Sequence, residues 1–179
     1  MLFRSIRTHS STLLTSKHIL QGIRTLPVSE RPSLLVALRS ATPSFTAKEV
    51  RVLFGTLVNE KIHDLPCMEA LVTQLPLRIP QCSLPTIAGM MESLAVLSRT
   101  YPNSAKTKRF ITNSTALLGE MFVTIVDQTP AETPEVEAPC RAIRQALGKL
   151  PQDSFPEAAV NALEKVINIP ETKVATLCE

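Results

Sequence analysis

One short stretch of the sequence holds residue types that could support nucleophilic chemistry. His63, Asp64 and Cys67 lie close together in the chain, and a histidine can activate a thiol when a third group orients it in a pocket. The stretch stands at the expected start of a helix, where histidine and aspartate more often cap the helix or face solvent. No Ser or Cys nucleophile is visibly paired with His63, so we predict no catalytic residue and a protein that is not an enzyme.

Metal and cofactor sites are not indicated by the remaining motifs. The chain has only 5 glycines and lacks the GxxxxGK[ST] and GxGxxG loops that bind phosphate through backbone N–H groups. Its 4 cysteines are Cys67, Cys82, Cys140 and Cys178, with no CxxC pair and no histidine at metal-ligand spacing. Two disulfides are arithmetically possible, but we expect reduced and mostly buried thiols, no metal and no cofactor.

A basic cluster is the best candidate for a binding site. Lys106, Lys108 and Arg109 fall near the start of a predicted helix, and Arg99 lies just before it. Positive charge at a helix N-terminus opposes the helix dipole, so RNA phosphate or an acidic protein surface would compensate it. The alternative is a helix whose charges are simply solvated. No aromatic residue lies between Lys106 and Arg109, so unpaired bases would find no stacking platform there.

The N-terminal segment 1–29 has the composition of a mitochondrial presequence. It carries Arg4, Arg7, Lys17 and Arg24, is rich in Ser and Thr, and contains no acidic residue. No unbroken apolar run suits a secretory signal. We therefore predict removal of this segment by cleavage somewhere between positions 10 and 27, the alternative being a basic first helix that remains in the fold.

The charge balance changes if this segment is removed. The whole chain has a net charge of +3, but residues 30–179 carry 15 basic and 16 acidic residues. A nearly neutral body does not indicate a large nucleic-acid footprint.

The rest of the chain reads as helices separated by proline. Apolar residues make up 44% and charged residues 20% of the sequence, which excludes a disordered chain. The most distinct helix follows a capping box at Thr46–Glu49 and repeats apolar residues at helical spacing from Val50 to Val58. A second capping box is predicted at Ser154–Glu157. Seven helices are predicted to start near positions 32, 46, 64, 83, 103, 139 and 154.

This pattern predicts an all-α fold of about seven short helices in antiparallel hairpins. Helix pairs recur about every 35–45 residues, which indicates a helical-repeat array, with a compact bundle as the alternative. We predict a helical domain at 30–128, a Pro/Glu-rich linker at 129–138, a C-terminal helical pair at 139–170 and a tail at 171–179. The longest apolar run, in 117–126, is too short to cross a membrane.

The stretch IAGMMESLAVLSRTYP at 87–102 resembles the first helix of the degenerate repeats in octotricopeptide-like and RAP-associated mitochondrial proteins. The resemblance implies an organellar helical protein concerned with RNA processing, ribosome assembly or translation. The RAP domain itself is not visible, and no base-reading position can be assigned.

Two functional hypotheses follow. The first is a non-enzymatic scaffold or adaptor in the mitochondrial matrix or at the inner-membrane surface, within an RNA–protein assembly such as the mitochondrial ribosome or an RNA-processing complex. It would act mainly through protein contacts, with Arg99, Lys106, Lys108 and Arg109 meeting phosphate or an acidic partner. The second is an accessory structural subunit of a respiratory or ATP synthase complex.

Overall fold

The computed structural model describes residues 15–129, 136–151 and 154–167. Over these residues the chain is all-α and contains no strand, which confirms the predicted fold class. Two short 3-10 helices, Thr42–Ser44 and Pro76–Gln81, lie between the α-helices. The α-helices are α1 (Ser16–Thr25), α2 (Arg31–Ala41), α3 (Ala47–Asn59), α4 (Leu65–Gln74), α5 (Leu84–Thr100), α6 (Ala105–Gln128), α7 (Glu137–Leu147) and α8 (Glu157–Ile167).

Side-chain caps explain where several helices begin. At α3 the predicted capping box is present: Thr46 Oγ1 accepts from the Glu49 backbone N–H, and the Glu49 carboxylate accepts from the Thr46 N–H at 2.9 Å. Asp64 caps α4 by accepting from the Cys67 N–H at 2.8 Å. Ser104 caps α6 in the same way, one residue after position 103, where the sequence predicts this helix to start. Short polar residues therefore set these boundaries locally.

The second predicted capping box is wrong. Helix α8 begins only at Glu157, and the Ser154 hydroxyl donates to the Pro151 carbonyl at 2.7 Å instead. Phe155 and Pro156 pack against Gly119 of α6. This packing places the residues after Ser154 outside the helix, so its hydroxyl is used within the preceding turn.

The helices are arranged as four stacked pairs in two layers. Within each pair, α1 packs on α2, α3 on α4, α5 on α6 and α7 on α8. Between pairs, α1, α3, α5 and α7 pack side by side in one layer, and α2, α4, α6 and α8 pack side by side in the other. We call these the front layer and the back layer. This order is that of a helical-repeat array, in which each repeat contacts its neighbours, and it favours the array over the compact bundle.

Helix α5 lies at the centre of the array. It contacts α3, α6 and α7, and its buried residues include Ile87, Met90, Met91 and Leu94, so it is buried on more than one side. The predicted C-terminal pair packs on the same core, because α7 lies along α5 and α8 along α6. Val136, inside the predicted linker, is buried, and residues 130–135 lie outside the described part.

Helix α1 falls inside the segment predicted to be a removable presequence. Its Ile19 and Ile23 are fully buried in the core. A Cβ on Gly22 would lie 2.9 Å from Leu34 Cδ2, so the glycine allows α1 to approach α2 closely. The Ser16 hydroxyl also donates to the Glu49 carboxylate of α3. Residues 16–25 therefore pack as the alternative, a basic first helix that remains in the fold, requires. Cleavage of the segment stays a prediction, and residues 1–14 lie outside the described part.

Because the carboxylate of Glu49 in α3 accepts a hydrogen bond from Ser16 in α1, we expect the stability of the fold to depend on pH. Hydrogen bonds from the Ser16 hydroxyl and the Thr46 backbone hold the pKa of Glu49 below its ordinary value of 4.5. A carboxyl group with a lower pKa in the folded state stabilises the fold above its unfolded pKa, and this stabilisation is lost as the pH falls through the folded pKa. Below about pH 4.5, stability should therefore decline more in the wild type than in Glu49→Gln.

This prediction is checked by urea unfolding at a series of pH values from 3 to 7. Glutamine keeps a hydrogen-bond acceptor at position 49 but does not ionise. Glu92→Gln is the matched control, because Glu92 is exposed on α5 and its replacement removes the same charge without any of these hydrogen bonds. An acid decline that is equally steep in Glu49→Gln and in the wild type would contradict the prediction.

No helix in the described ranges has both the length and the apolar character needed to span a membrane.

Candidate functional site

The structure separates the four basic residues of the predicted cluster. All four side chains are exposed. Lys106 and Arg109, three residues apart on α6, both line a groove between α4 and α6 in the back layer. Lys108 points to another side of α6 and lines a second groove with Lys149. Arg99 lies on α5 of the front layer, and its Nε–H donates to the Ala95 carbonyl at 3.4 Å.

The groove between α4 and α6 has a volume of about 330 Å³. Its base is largely apolar, and charges of both signs stand along it, with Glu69 on α4 and Lys106 and Arg109 on α6. An acidic residue among the basic ones makes this groove a poor phosphate site. The lining residues are Leu65, Glu69, Val72, Thr73, Lys106, Arg109, Phe110, Asn113, Ser114 and Leu117.

This groove also explains a difference from the predicted apolar stripe of α6. Helical spacing predicts one buried stripe along α6, made of Phe110, Ser114, Leu117, Leu118, Met121, Phe122 and Ile125. Phe110 and Leu117 are instead half-buried and line the groove. Ile111, Thr115 and Gly119 are buried in addition to the predicted residues. Two apolar side chains of α6 are thus left accessible to a partner.

The second groove lies where the α5–α6 turn meets the residues after α7. Its volume is about 530 Å³, and Lys108 and Lys149 approach it from the two sides. Lys149 lies in the segment 148–151 that follows α7. Lys108 of the α5–α6 pair and Lys149 of the α7–α8 pair therefore both bring positive charge to this groove. The other residues lining it are Ser98, Tyr101, Pro102, Ile111, Thr112, Leu150 and Pro151.

His63 contacts residues of the neighbouring helix pair. Its ring stacks on Tyr101 with centroids 4.1 Å apart, and its Nε2 lies 2.8 Å from Thr107 Oγ1. The Thr107 hydroxyl in turn donates to Ser104 Oγ at 2.8 Å. These contacts join the turn between α3 and α4 to the turn between α5 and α6. Asp64 Oδ1 accepts from the Cys67 N–H as the cap of α4, and no hydrogen bond joins Asp64 to His63 in the part of the chain that the structure describes.

Cys67 is not poised as a nucleophile. It is buried, and its thiol donates to the Leu35 carbonyl at 3.2 Å. Burial, together with the neighbouring Asp64, raises the pKa of the Cys67 thiol to about 12. Burial raises the pKa of Cys82 and of Cys140 to about 11. These three cysteines are free thiols, and the described ranges hold no cluster of three or more His, Cys, Asp or Glu residues suited to a metal ion.

The burial of Cys67 predicts slow alkylation of its thiol in the native protein. The thiolate is the reactive form, and an exposed cysteine has a pKa of about 8.5. At pH 8, a pKa of about 12 lowers the thiolate fraction of Cys67, so we expect alkylation in the native protein about a thousandfold slower than in the unfolded chain.

Peptide mapping by mass spectrometry after timed alkylation measures this rate for each cysteine without any substitution. Half-buried Cys82 is the internal comparison and should be modified before Cys67. Modification of Cys67 in the native protein at the rate of the urea-unfolded chain would contradict the prediction.

The front-layer helices carry basic residues that are far apart in the sequence and that the fold places in one layer. Its four helices contain seven basic and three acidic residues, whereas the four back-layer helices contain six basic and five acidic residues. The front-layer helices thus have a net charge of +4 and the back-layer helices a net charge of +1. Its basic residues are Lys17, Arg24, Lys48, Arg51, Arg99, Arg141 and Arg144.

The fold defines the class of this protein as a two-layer array of helix pairs. Comparison of the chain with protein-family models, with curated proteins and with solved structures found no match. The resemblance of residues 87–102 to octotricopeptide-like and RAP-associated repeats stays a prediction. The outer surfaces of the array are therefore the basis for a proposed function.

Proposed function

We propose that the protein is a non-enzymatic helical scaffold or adaptor within a mitochondrial RNA–protein assembly, either the mitochondrial ribosome or an RNA-processing complex, and that it acts mainly through protein contacts. The observation that carries the proposal is the two-layer stacking of helix pairs. Such arrays use the extended outer surfaces of their helices to bind other macromolecules. The cavities found in the described part are open grooves between helices, which suit a partner surface better than a small substrate.

The groove between α4 and α6 supports protein contact in particular. Its half-buried Phe110 and Leu117 supply apolar area, while Glu69, Lys106 and Arg109 supply charges of both signs at the margin. An apolar centre with a polar rim is the usual composition of a protein–protein interface, and aromatic residues are enriched at its centre. This arrangement fits a segment of a neighbouring subunit.

The mitochondrial part of the proposal depends on residues 1–14. This segment contains Arg4 and Arg7 and no acidic residue, and it precedes α1. Because Ile19 and Ile23 belong to the core, we place the targeting segment before α1 and not through position 29. The remaining residues 15–179 carry 17 basic and 16 acidic residues, which is still nearly neutral.

The proposal is tested by a pull-down of the C-terminally tagged protein from isolated mitochondria, with and without RNase. We expect ribosomal or RNA-processing proteins to be recovered. Thr73→Arg, which places a large side chain in the α4–α6 groove, should reduce their recovery, whereas the exposed Ser40→Arg on α2 should not. Recovery of respiratory or ATP synthase subunits, unaffected by RNase, would overturn the proposal in favour of an accessory subunit. Absence of the protein from mitochondria would overturn it as well.

A further inference from the structure

The basic residues of the front layer lie on its outward side. On α1, Lys17 and Arg24 are exposed and stand seven residues apart on one side of the helix, opposite the buried Ile19 and Ile23. On α7, Arg141 is likewise exposed, while Cys140 and Ile143 are buried. The outer surfaces of both end helices of this layer are therefore positively charged.

The middle of the layer continues this charge through α3 and α5. Lys48 is exposed on α3, and the Arg51 side chain reaches across to α5. A Cβ on Gly89 would lie 2.9 Å from both Cδ and Nη1 of Arg51, so the glycine leaves the space in which this side chain lies. Arg99, exposed near the end of α5, adds a further positive charge.

Two of the three acidic residues in the front layer are already engaged. Glu49 accepts hydrogen bonds from Ser16 and Thr46 between α1 and α3. Glu137 forms an ion pair with Arg141 on α7. Only Glu92 on α5 stands exposed without such a contact in the described ranges. Glu49 keeps its negative charge in these hydrogen bonds, and the ion pair with Glu137 also neutralises Arg141. The front-layer helices, with seven basic and three acidic residues, therefore have a net charge of +4.

The dimensions of this surface suit an extended polyanion. Neighbouring packed helices lie about 8–10 Å apart, so the four helices of the front layer spread these charges over about 24–30 Å. A single acidic side chain or one free phosphate group would contact only one part of it. Several phosphates in series would contact side chains from all four helices.

We propose that the front layer binds the sugar–phosphate backbone of RNA without reading its bases. This inference rests on the proposed function and names the part of the protein that would contact RNA in the assembly. Lys and Arg side chains neutralise phosphates regardless of sequence. The described front-layer helices expose no Phe, Tyr or Trp side chain on which a base could stack, and His18 on α1 is their one exposed imidazole.

The same composition disfavours an anionic membrane as the occupant. Membrane-surface helices bury Trp, Phe or Leu side chains below the headgroups. Among the large apolar side chains of the described front-layer helices, Val52 is the most exposed, at 36%. The front layer thus offers positive charge to phosphate groups but few apolar side chains that could insert into a lipid bilayer.

The inference is tested with the purified full-length chain and a fluorescent 20-base-pair RNA duplex, by anisotropy between 50 and 200 mM KCl. The front variant combines Arg24→Gln, Lys48→Gln and Arg144→Gln, which are exposed on three different helices. The back variant combines Lys106→Gln, Lys108→Gln and Arg109→Gln and removes the same charge from α6. Circular dichroism and thermal unfolding establish that both variants are folded.

We expect wild-type binding that weakens steeply with salt and does not depend on RNA sequence. The front variant should lose about tenfold or more in affinity at 50 mM KCl, and its slope of log K against log salt should fall by about 2–3, close to one for each contact removed. The back variant should retain most of the affinity and slope. Equal losses in both variants, or no binding by the wild type, would overturn the inference.

A competition experiment separates RNA from lipid. Vesicles of neutral lipid with 30% cardiolipin are added to the preformed RNA complex, and vesicle binding is measured by flotation. RNA release at low vesicle concentration, with vesicle binding lost in the front variant, would assign the surface to a membrane and overturn the inference. Failure of RNA binding while ribosomal partners are still recovered from mitochondria would remove this inference alone and leave the proposed function standing.

Discussion

A chain beginning at Thr15 should be far more stable than one beginning at Glu30. The shorter chain lacks α1 and with it the fully buried Ile19 and Ile23. Loss of one buried isoleucine side chain commonly costs about 2–5 kcal/mol, so loss of the whole helix should remove most or all of the stability of a domain this size, about 5–15 kcal/mol. Leu34 of α2, which packs against Gly22 of α1, would in addition become more exposed to solvent.

Urea unfolding followed by circular dichroism compares the two truncated chains directly. Point variants keep the result interpretable if the shorter chain does not fold. Ile23→Ala should cost about 2–5 kcal/mol, whereas the exposed Gln21→Ala on the same helix should change stability by less than about 0.5 kcal/mol. Equal unfolding midpoints for the two truncated chains would show that α1 does not belong to the core.

The second large effect is expected at Gly119, where α6 meets the residues before α8. A Cβ at this position would lie inside contact distance of Pro156 Cδ and 2.9 Å from two carbons of the Phe155 ring. A proline ring cannot rotate away as a flexible side chain does, so Gly119→Ala forces α6 and the 155–156 segment apart. We expect a loss of about 3 kcal/mol, the upper range for overpacking.

Gly55→Ala is the matched control for Gly119→Ala. Gly55 lies inside α3, and a Cβ there meets only Ser93 Oγ at 3.5 Å, which is ordinary contact. Alanine is favoured over glycine in a helix by about 1 kcal/mol, so this variant should be slightly more stable than the wild type. Thermal unfolding of both variants measures the difference, and destabilisation of similar size in both would contradict the argument from packing.

The parts of the fold that could be predicted are those set by local residues. The capping box at Thr46 and the apolar repeat after it specify α3 without reference to any other helix, and every apolar residue predicted for that stripe is buried. The same holds for α5, where helical spacing predicts an inward side made of Leu84, Ile87, Met90, Met91, Leu94, Ala95 and Leu97, all of which are buried. All seven predicted helices are present as α2 to α8, with boundaries shifted by up to about three residues.

The role of α1 could not be predicted because its composition serves two purposes equally well. Lys17 and Arg24 with no acidic residue describe a targeting helix, but they also describe a terminal helix that exposes basic residues on one side. Only the packing of Ile19 and Ile23 on neighbouring helices distinguishes the two. Such contacts between distant residues are not visible in a local pattern.

The grouping of the basic residues also could not be predicted from the sequence, because it depends on how each helix turns and on how the helices pack. Residues adjacent in the chain turn by 100° around a helix, so Lys106 and Arg109 share one side of α6 while Lys108 lies on another. Conversely, Lys17 and Arg144 are far apart in the chain, yet the alternation of front and back helices brings them to one layer. A basic surface built from every second helix produces no cluster in the sequence.

The stacking of each helix pair on its immediate neighbours has a consequence for how the protein opens. In such an array, unfolding can proceed from either end, one pair at a time, because removing a terminal pair breaks only one interface. Amides of α5, which is enclosed by α3, α6 and α7, should exchange with solvent most slowly, and those of α1 and α8 earliest. The basic front layer therefore spans helix pairs that differ in local stability. A polyanion bound across all four pairs would stabilise the terminal pairs by linking them to the more stable centre.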